Sequence, residues 1–356
     1  MIEALRSIDE ISESWVESVL ADPASPDQGQ IQSMNVSPVG AGQVADCARI
    51  TITTHGGEER SFVAKVPSRD QTSRETAIAQ HLYEREVRAY EALLPRTSMA
   101  TPARIASVLD DASGDFALVL EDVGPAAQVD QLGGFELDHA ERAVAELAKL
   151  HGAFWGDPAL HRLAYVGGVA DMMRPLYAAL VPMLFDQFTS SLGEQVSAPT
   201  AGVIEWLKPR LGAYFSGHDG PFTLQHGDYR PDNMLFDACG GTRPIVIVDF
   251  QTISVGAPTL DLAYLLGTSL DPEVRNRHEA DLITLYAEAL RTTGVVDVNN
   301  EAITLGYRRH AFQGVAMLVA ASMLVERTTR GDQMFLTMIE RSAAMVDELG
   351  ARRTLS

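Results

Sequence analysis

Apolar and polar positions change period several times along the chain, and each change predicts an element. Residues 2–20 place Ile8, Ile11, Trp15 and Leu20 roughly on one side at helical spacing, which predicts an amphipathic helix. Residues 22–30 are polar, contain two prolines and read as a loop. From 34 to 54 the pattern turns to alternation, with Val44, Ala48, Ile50 and Ile52 as its apolar set, and period two is that of a strand. His55-Gly56-Gly57-Glu58 is a further turn, so the region reads as a small antiparallel meander. S-F-V-A-K-V at 61–66 is the next strand. A helix follows over 74–94, with Ile78, Leu82, Tyr90 and Leu93 as its stripe and Pro95 as its stop. F-A-L-V-L at 116–120 is another strand. From Gly124 onward helices dominate: 138–155, with Asp138 as N-cap and Gly156 behind it, then 172–188, 200–215, 280–290, 301–327 and 333–349.

The stretch 224–250 interrupts the helices. It reads L-Q-H-G-D-Y-R-P-D-N-M-L-F, then a turn of small residues over 237–242, then four β-branched residues, Ile245 to Val248, ending at Asp249-Phe250-Gln251. Loop, strand, tight turn and strand are predicted, with Asp249 returned beside the loop that carries Asp228 and Asn233. Such an arrangement suits phosphoryl transfer, where positioning and charge neutralisation matter more than covalent help. One Asp can orient an acceptor hydroxyl and take its proton, while an Asn and a second Asp offer the hard oxygens that magnesium prefers. The order H-x-D-x-x-x-x-N followed by D-F-x is that of protein kinases, with Gly227 and Gln251 as the departures.

H-G-D-Y-R-P-D-N with D-F-Q resembles the aminoglycoside phosphotransferase and choline kinase superfamily, most closely the branch with ecdysteroid-kinase-like and related bacterial phosphotransferases. The resemblance spans most of the chain. It implies an α+β, protein-kinase-like fold of two lobes: a β-rich nucleotide-binding lobe over 1–121 and a mostly helical catalytic and acceptor-binding lobe over 122–356. It further implies Asp228 as catalytic base, Asn233 and Asp249 as magnesium ligands, and backbone groups around Glu121 to Val123 at the adenine edge. At Glu121 and Val123 a plain strand ending in an acidic turn accounts for the same residues.

Four further positions join this set. Gly40 and Gly42 let backbone amides approach phosphates, as in the kinase nucleotide loop, although Ala45 replaces the third glycine of that motif; an ordinary hairpin turn reads the same way. Lys65 lies inside an apolar run, as the lysine on the nucleotide phosphates or as an edge lysine with its head in water. Glu86 falls on the stripe of its helix and needs a cation, for which Lys65 is the candidate. His151 reads as a core histidine, His226 as architectural, Asp261 as an N-cap or a support of the 226–233 loop, and Arg230 as a helper of the phosphoryl group or a solvated side chain.

Composition narrows the partners. The chain has 356 residues, is 46% hydrophobic and 21% charged, and carries a net charge of −20. That balance argues against nucleic acid and against a broad basic face for membranes. Cys47 and Cys239 form no metal or redox motif and fit a reducing cytoplasm. Neither a signal peptide nor an apolar run long enough to span a bilayer is read. Only a few residues separate Gln251 from Ala257-Pro258, and Thr259 stands where protein kinases carry a glutamate. This leaves little room for a peptide platform and favours a small hydroxylated acceptor, with ATP and magnesium. A nucleotide-binding regulator without turnover and a protein kinase are the alternatives.

Overall fold

The computed structural model of the chain describes residues 2–21, 31–40, 44–216, 220–325 and 327–355; the loop expected over 22–30 lies outside them. Contacts divide the chain into two compact units. One comprises residues 1–96, 101–124 and 249–251, the other residues 97–100, 125–248 and 252–356.

The first unit is built on a five-stranded antiparallel sheet. Its strands are β1 (Ile31–Pro38), β2 (Ala45–Thr54), β3 (Glu59–Pro67), β4 (Arg104–Leu109) and β5 (Phe116–Glu121), in the order β1-β2-β3-β5-β4. Pro38 is tolerated because β1 is an edge. Alternation decides what each face meets. Ala48, Ile50 and Ile52 of β2 and Phe62, Ala64 and Val66 of β3 form one core with Leu5, Ile8, Ile11, Trp15, Val16 and Val19. Lys65 therefore points to the other face.

Sequence period overestimated helix length in this unit. The helix read over 2–20 is a 3₁₀ turn, Ile8–Glu10, followed by α1 (Glu13–Leu20), because Ser12 caps a new start through Trp15 N–H at 3.2 Å. The helix read over 74–94 is α2 (Gln71–Ala79), α3 (Leu82–Arg88), a π turn at Ala89–Leu93 and a 3₁₀ turn at Leu94–Arg96 that accommodates Pro95. His81, at φ +56°, breaks α2 from α3. Strand β4 went unread because its faces do not alternate cleanly and Ile105 is exposed.

In the second unit, β6 (Ala127–Gln128), β8 (Met234–Asp237) and β9 (Arg243–Ile247) form one small sheet, and β7 (Thr223–Gln225) pairs with β10 (Ser254–Gly256) in another. The predicted hairpin is β8–β9; Asp237, Cys239, Gly240 and Gly241 all take positive φ in its turn. The rest is helical: α4 (Leu137–Ala153), then Val169–Leu192, Ala198–Leu207, Leu211–Ser216, Pro258–Ser269, Pro272–Thr292, Asn300–His310, Gln313–Ala321 and Thr329–Glu348. Asp138 does not cap α4: Glu136 occupies that position, and Asp138 pairs with Arg142 one turn on at 2.8 Å. The 200–215 reading splits at Lys208-Pro209-Arg210, and the 301–327 reading splits between His310 and Gln313. Among the described residues, no helix is long and apolar enough to cross a membrane.

Candidate active site

In the first unit, Lys65, Glu86 and Asp249 converge. Lys65 is 8% exposed and Glu86 1% exposed. The Lys65 ammonium lies 2.6 Å from the Glu86 carboxylate and donates to Asp249 Oδ1 at 3.1 Å. Strand alternation points Lys65 at α3, and the inward stripe of that helix presents Glu86 to it. Glu86 also accepts the backbone N–H of Phe250, whose ring meets Tyr90 edge-on. One cation thus serves two carboxylates. Burial opposes the charge on Lys65, but Asp249 and Glu86 together outweigh it and push its pKa up. For Glu86 burial wins over the shared cation, and its pKa is pushed up to about 7. Asp249 is held at φ +66°, a left-handed conformation uncommon outside glycine.

The second unit presents the loop 226–233 as a rigid piece. Gly227, at φ +86°, passes so close to Thr252 that a Cβ would lie 2.4 Å from that residue's carbonyl oxygen. His226 accepts the Asp228 N–H at Nδ1 (3.3 Å) and gives its Nε2–H to the Val248 carbonyl at 3.1 Å. Asp261 lies within the helix Pro258–Ser269 and takes the N–H groups of His226 and Gly227 at 2.7 and 3.1 Å. The N-cap of that helix is Ala257, with no side-chain bond, so Asp261 supports the loop and does not cap. His151 is fully buried, bonded to Tyr286 (2.6 Å) and Asp261 (3.2 Å), as expected of a core histidine.

Asp228 itself is surrounded by donors. Arg230 Nε is 2.9 and 3.1 Å from its two oxygens, Asn233 Nδ2 donates to Oδ2 at 3.0 Å, and the Tyr264 hydroxyl donates to Oδ1 at 3.1 Å. Burial would raise the Asp228 pKa, but Arg230 overcomes it and, with His226 and Tyr264, holds the carboxyl below its ordinary range. The guanidinium also bonds Asp232 and touches Met334. Arg230 is therefore engaged with Asp228 and not a solvated side chain. Val248 N–H bonds the Asn233 carbonyl at 3.0 Å, which ties the end of the second strand to this loop.

The model of the phosphotransferase enzyme family matches residues 36–292. This span is well over half of the chain and includes Lys65, Glu86, Asp228, Arg230, Asn233, Asp249, Asp261 and Tyr264. The chain belongs to the phosphotransferase enzyme family. Solved structures show the same fold. A Ralstonia eutropha JMP134 protein classed as a candidate aminoglycoside phosphotransferase is 15% identical over 97% of this chain and 98% of its own, at a TM-score of 0.53. A microcompartment-associated aminopropanol kinase is 14% identical over 97% and 99%, at 0.52. The GDP complex of aminoglycoside 2'-phosphotransferase-IIIa is 16% identical over 88% and 93%, at 0.51. They bear out the protein-kinase-like fold class expected from the sequence. No curated protein sequence matches this one at a significant level.

Of the other positions read from sequence, Gly40 follows β1 at φ +76°, with no atom of the described residues within 4 Å of where a Cβ would be, and Gly42 lies outside the described residues. Glu121 ends β5, where its N–H bonds Ala103 at 2.8 Å, and Val123 is buried beyond it. From sequence, Tyr264 has no assigned role, although its spacing of three from Asp261 puts both on one face, and Gln251 stands only as a departure from the kinase motif. Gln251 Nε2 is 3.4 Å from Asp249 Oδ2, and its Oε1 is a buried acceptor with no hydrogen-bond partner.

Asn233 spends its amide hydrogens on the Asp228 carbonyl (2.8 Å) and carboxylate, which leaves its Oδ1 as an oxygen donor. In the first unit, Asp249 offers a carboxylate. Each by itself is a hard oxygen of the kind magnesium takes.

Proposed function

We propose that this phosphotransferase is an ATP-dependent small-molecule kinase of the cytoplasm, passing a γ-phosphoryl group to the hydroxyl of a metabolite. Residues 1–121 form its nucleotide-binding lobe and 122–356 its catalytic and acceptor lobe. The observation that carries this reading is the setting of Asp228: its carboxylate is multiply bonded by Arg230, Asn233 and Tyr264, and its loop backbone is pinned by Asp261. A carboxylate so placed takes the acceptor's hydroxyl proton as the bond to phosphorus forms. Lys65, kept charged and aimed by Glu86, contacts the nucleotide phosphates, with Gly40 and Gly42 on the phosphate loop and Glu121 to Val123 at the base. Asn233 and Asp249 hold magnesium, which neutralises phosphate charge when bound.

Residues 252–257 support a small acceptor. They run through β10, paired with β7, directly into the helix at Pro258, and so hold no extended peptide platform. The acceptors of the similar solved proteins, aminopropanol and aminoglycosides, are amino alcohols and amino sugars, and the proposed acceptor belongs to that broad class of hydroxylated compounds.

The test is an acceptor search. The protein, magnesium and ATP are incubated with a fractionated metabolite extract, and mass spectrometry looks for species gaining one phosphoryl group. Asp228→Asn should slow product formation by ~10²–10⁴ while ATP affinity stays near wild type. Full turnover in that variant removes Asp228 from the role.

A further inference from the structure

We propose that Tyr264 is a positioning residue for phosphoryl transfer, its hydroxyl setting the orientation in which Asp228 meets the acceptor. The inference rests on the reading of Asp228 as the base. It begins with helix geometry. Asp261 and Tyr264 are three residues apart on Pro258–Ser269 and share a face. Asp261 takes the backbone N–H groups of His226 and Gly227 at 2.7 and 3.1 Å, and Tyr264 donates to Asp228 Oδ1 at 3.1 Å. One helical turn thus grips three consecutive residues, the first two by their backbone and the third by its side chain. The grip is stiff: His151 bonds Asp261, Tyr286 bonds His151, and Tyr264 is only 5% exposed.

Counting hydrogens on the carboxylate shows what Tyr264 adds. An ionised carboxylate offers about four acceptor sites. Arg230 Nε–H is shared between the two oxygens, Asn233 takes a place on Oδ2, and Tyr264 takes one on Oδ1. Three hydrogens leave about one site, so an incoming hydroxyl has a single direction of approach. Without the phenol, Oδ1 keeps only its share of the Arg230 hydrogen. The acceptor then has two places to bind, and the fraction poised for attack falls.

Tyr264→Phe removes the donor and keeps the packed ring, while Tyr264→Leu removes both. The probe is phosphate release from magnesium–ATP with water as acceptor, beside Asp228→Asn. We expect Tyr264→Phe to lower kcat about tenfold with KM for ATP unchanged and a wild-type melting temperature. A Phe variant with wild-type kcat and a slowed Leu variant would show that Tyr264 only packs, and would overturn the proposal. Wild-type release from Asp228→Asn would instead sink the base reading. Crystal structures need no turnover: in Tyr264→Phe the Asp228 carboxylate should rotate about χ2, and an unmoved carboxylate also overturns the proposal.

Discussion

Residue by residue, the polar groups here are argued by what surrounds them. Glu86 is the clearest case. Its folded pKa, pushed up to about 7, lies above the 4.5 of an exposed glutamate, because burial outweighs a cation it shares with Asp249. The folded state therefore binds this proton more tightly than the unfolded one. Stability contributed by the protonated form is present below about pH 4.5 and lost as pH rises to 7. Chemical denaturation at pH 5 and pH 8 should show the wild type losing on the order of 3 kcal/mol more than Glu86→Gln across that interval. Equal pH slopes in the two proteins would contradict the assignment. Asp228 goes the opposite way although burial pushes it upward too, because a guanidinium lies against both of its oxygens. Sequence showed that Lys65 and Glu86 each needed a partner. The partners of Asp228 were harder to read, since Arg230 and Tyr264 look like ordinary surface and core residues.

At the scale of elements, the hairpin and the loop before it were the most legible parts. Four β-branched residues, a turn rich in glycine and a Pro-Asp-Asn corner leave few alternative structures. Gly227 states its requirement less openly. At φ +86°, with Thr252 O in the place of a Cβ, Gly227→Ala carries both a strained backbone and a clash. Urea unfolding should show a loss of about 2–4 kcal/mol, with turnover falling alongside; a neutral variant would mean that the loop relaxes freely. Helix ends were less legible: Asp138 has the chemistry of a cap but does not cap α4, and Ser12 caps a start that the 2–20 pattern hides. The break at His81 depends on a non-glycine residue taking a left-handed conformation, and no local rule favours that choice. Asp261 had two readings, N-cap or loop support, and the amides of His226 and Gly227 claim its carboxylate.

For the whole molecule, ligand linkage gives the most direct check. If Asp249 takes magnesium with the nucleotide, ATP–magnesium at 100 times its Kd should stabilise the fold by about 2.7 kcal/mol, seen as a rise in Tm. Asp249→Ala should lose most of that rise and weaken binding in a calorimetric titration; unaltered affinity would remove Asp249 from the metal site. By itself the sequence determined most element types and the family's motif, because strand period, turn chemistry and motif spacing are local properties of the chain. Tertiary structure alone decided that Lys65 is shared by two carboxylates, that Arg230 lies against both oxygens of Asp228, and that Tyr264 and Asp261 grip one loop from one helical turn. Those pairings join residues up to 184 positions apart, and what fixes them is the packing of burial against charge, which no window of neighbouring residues contains.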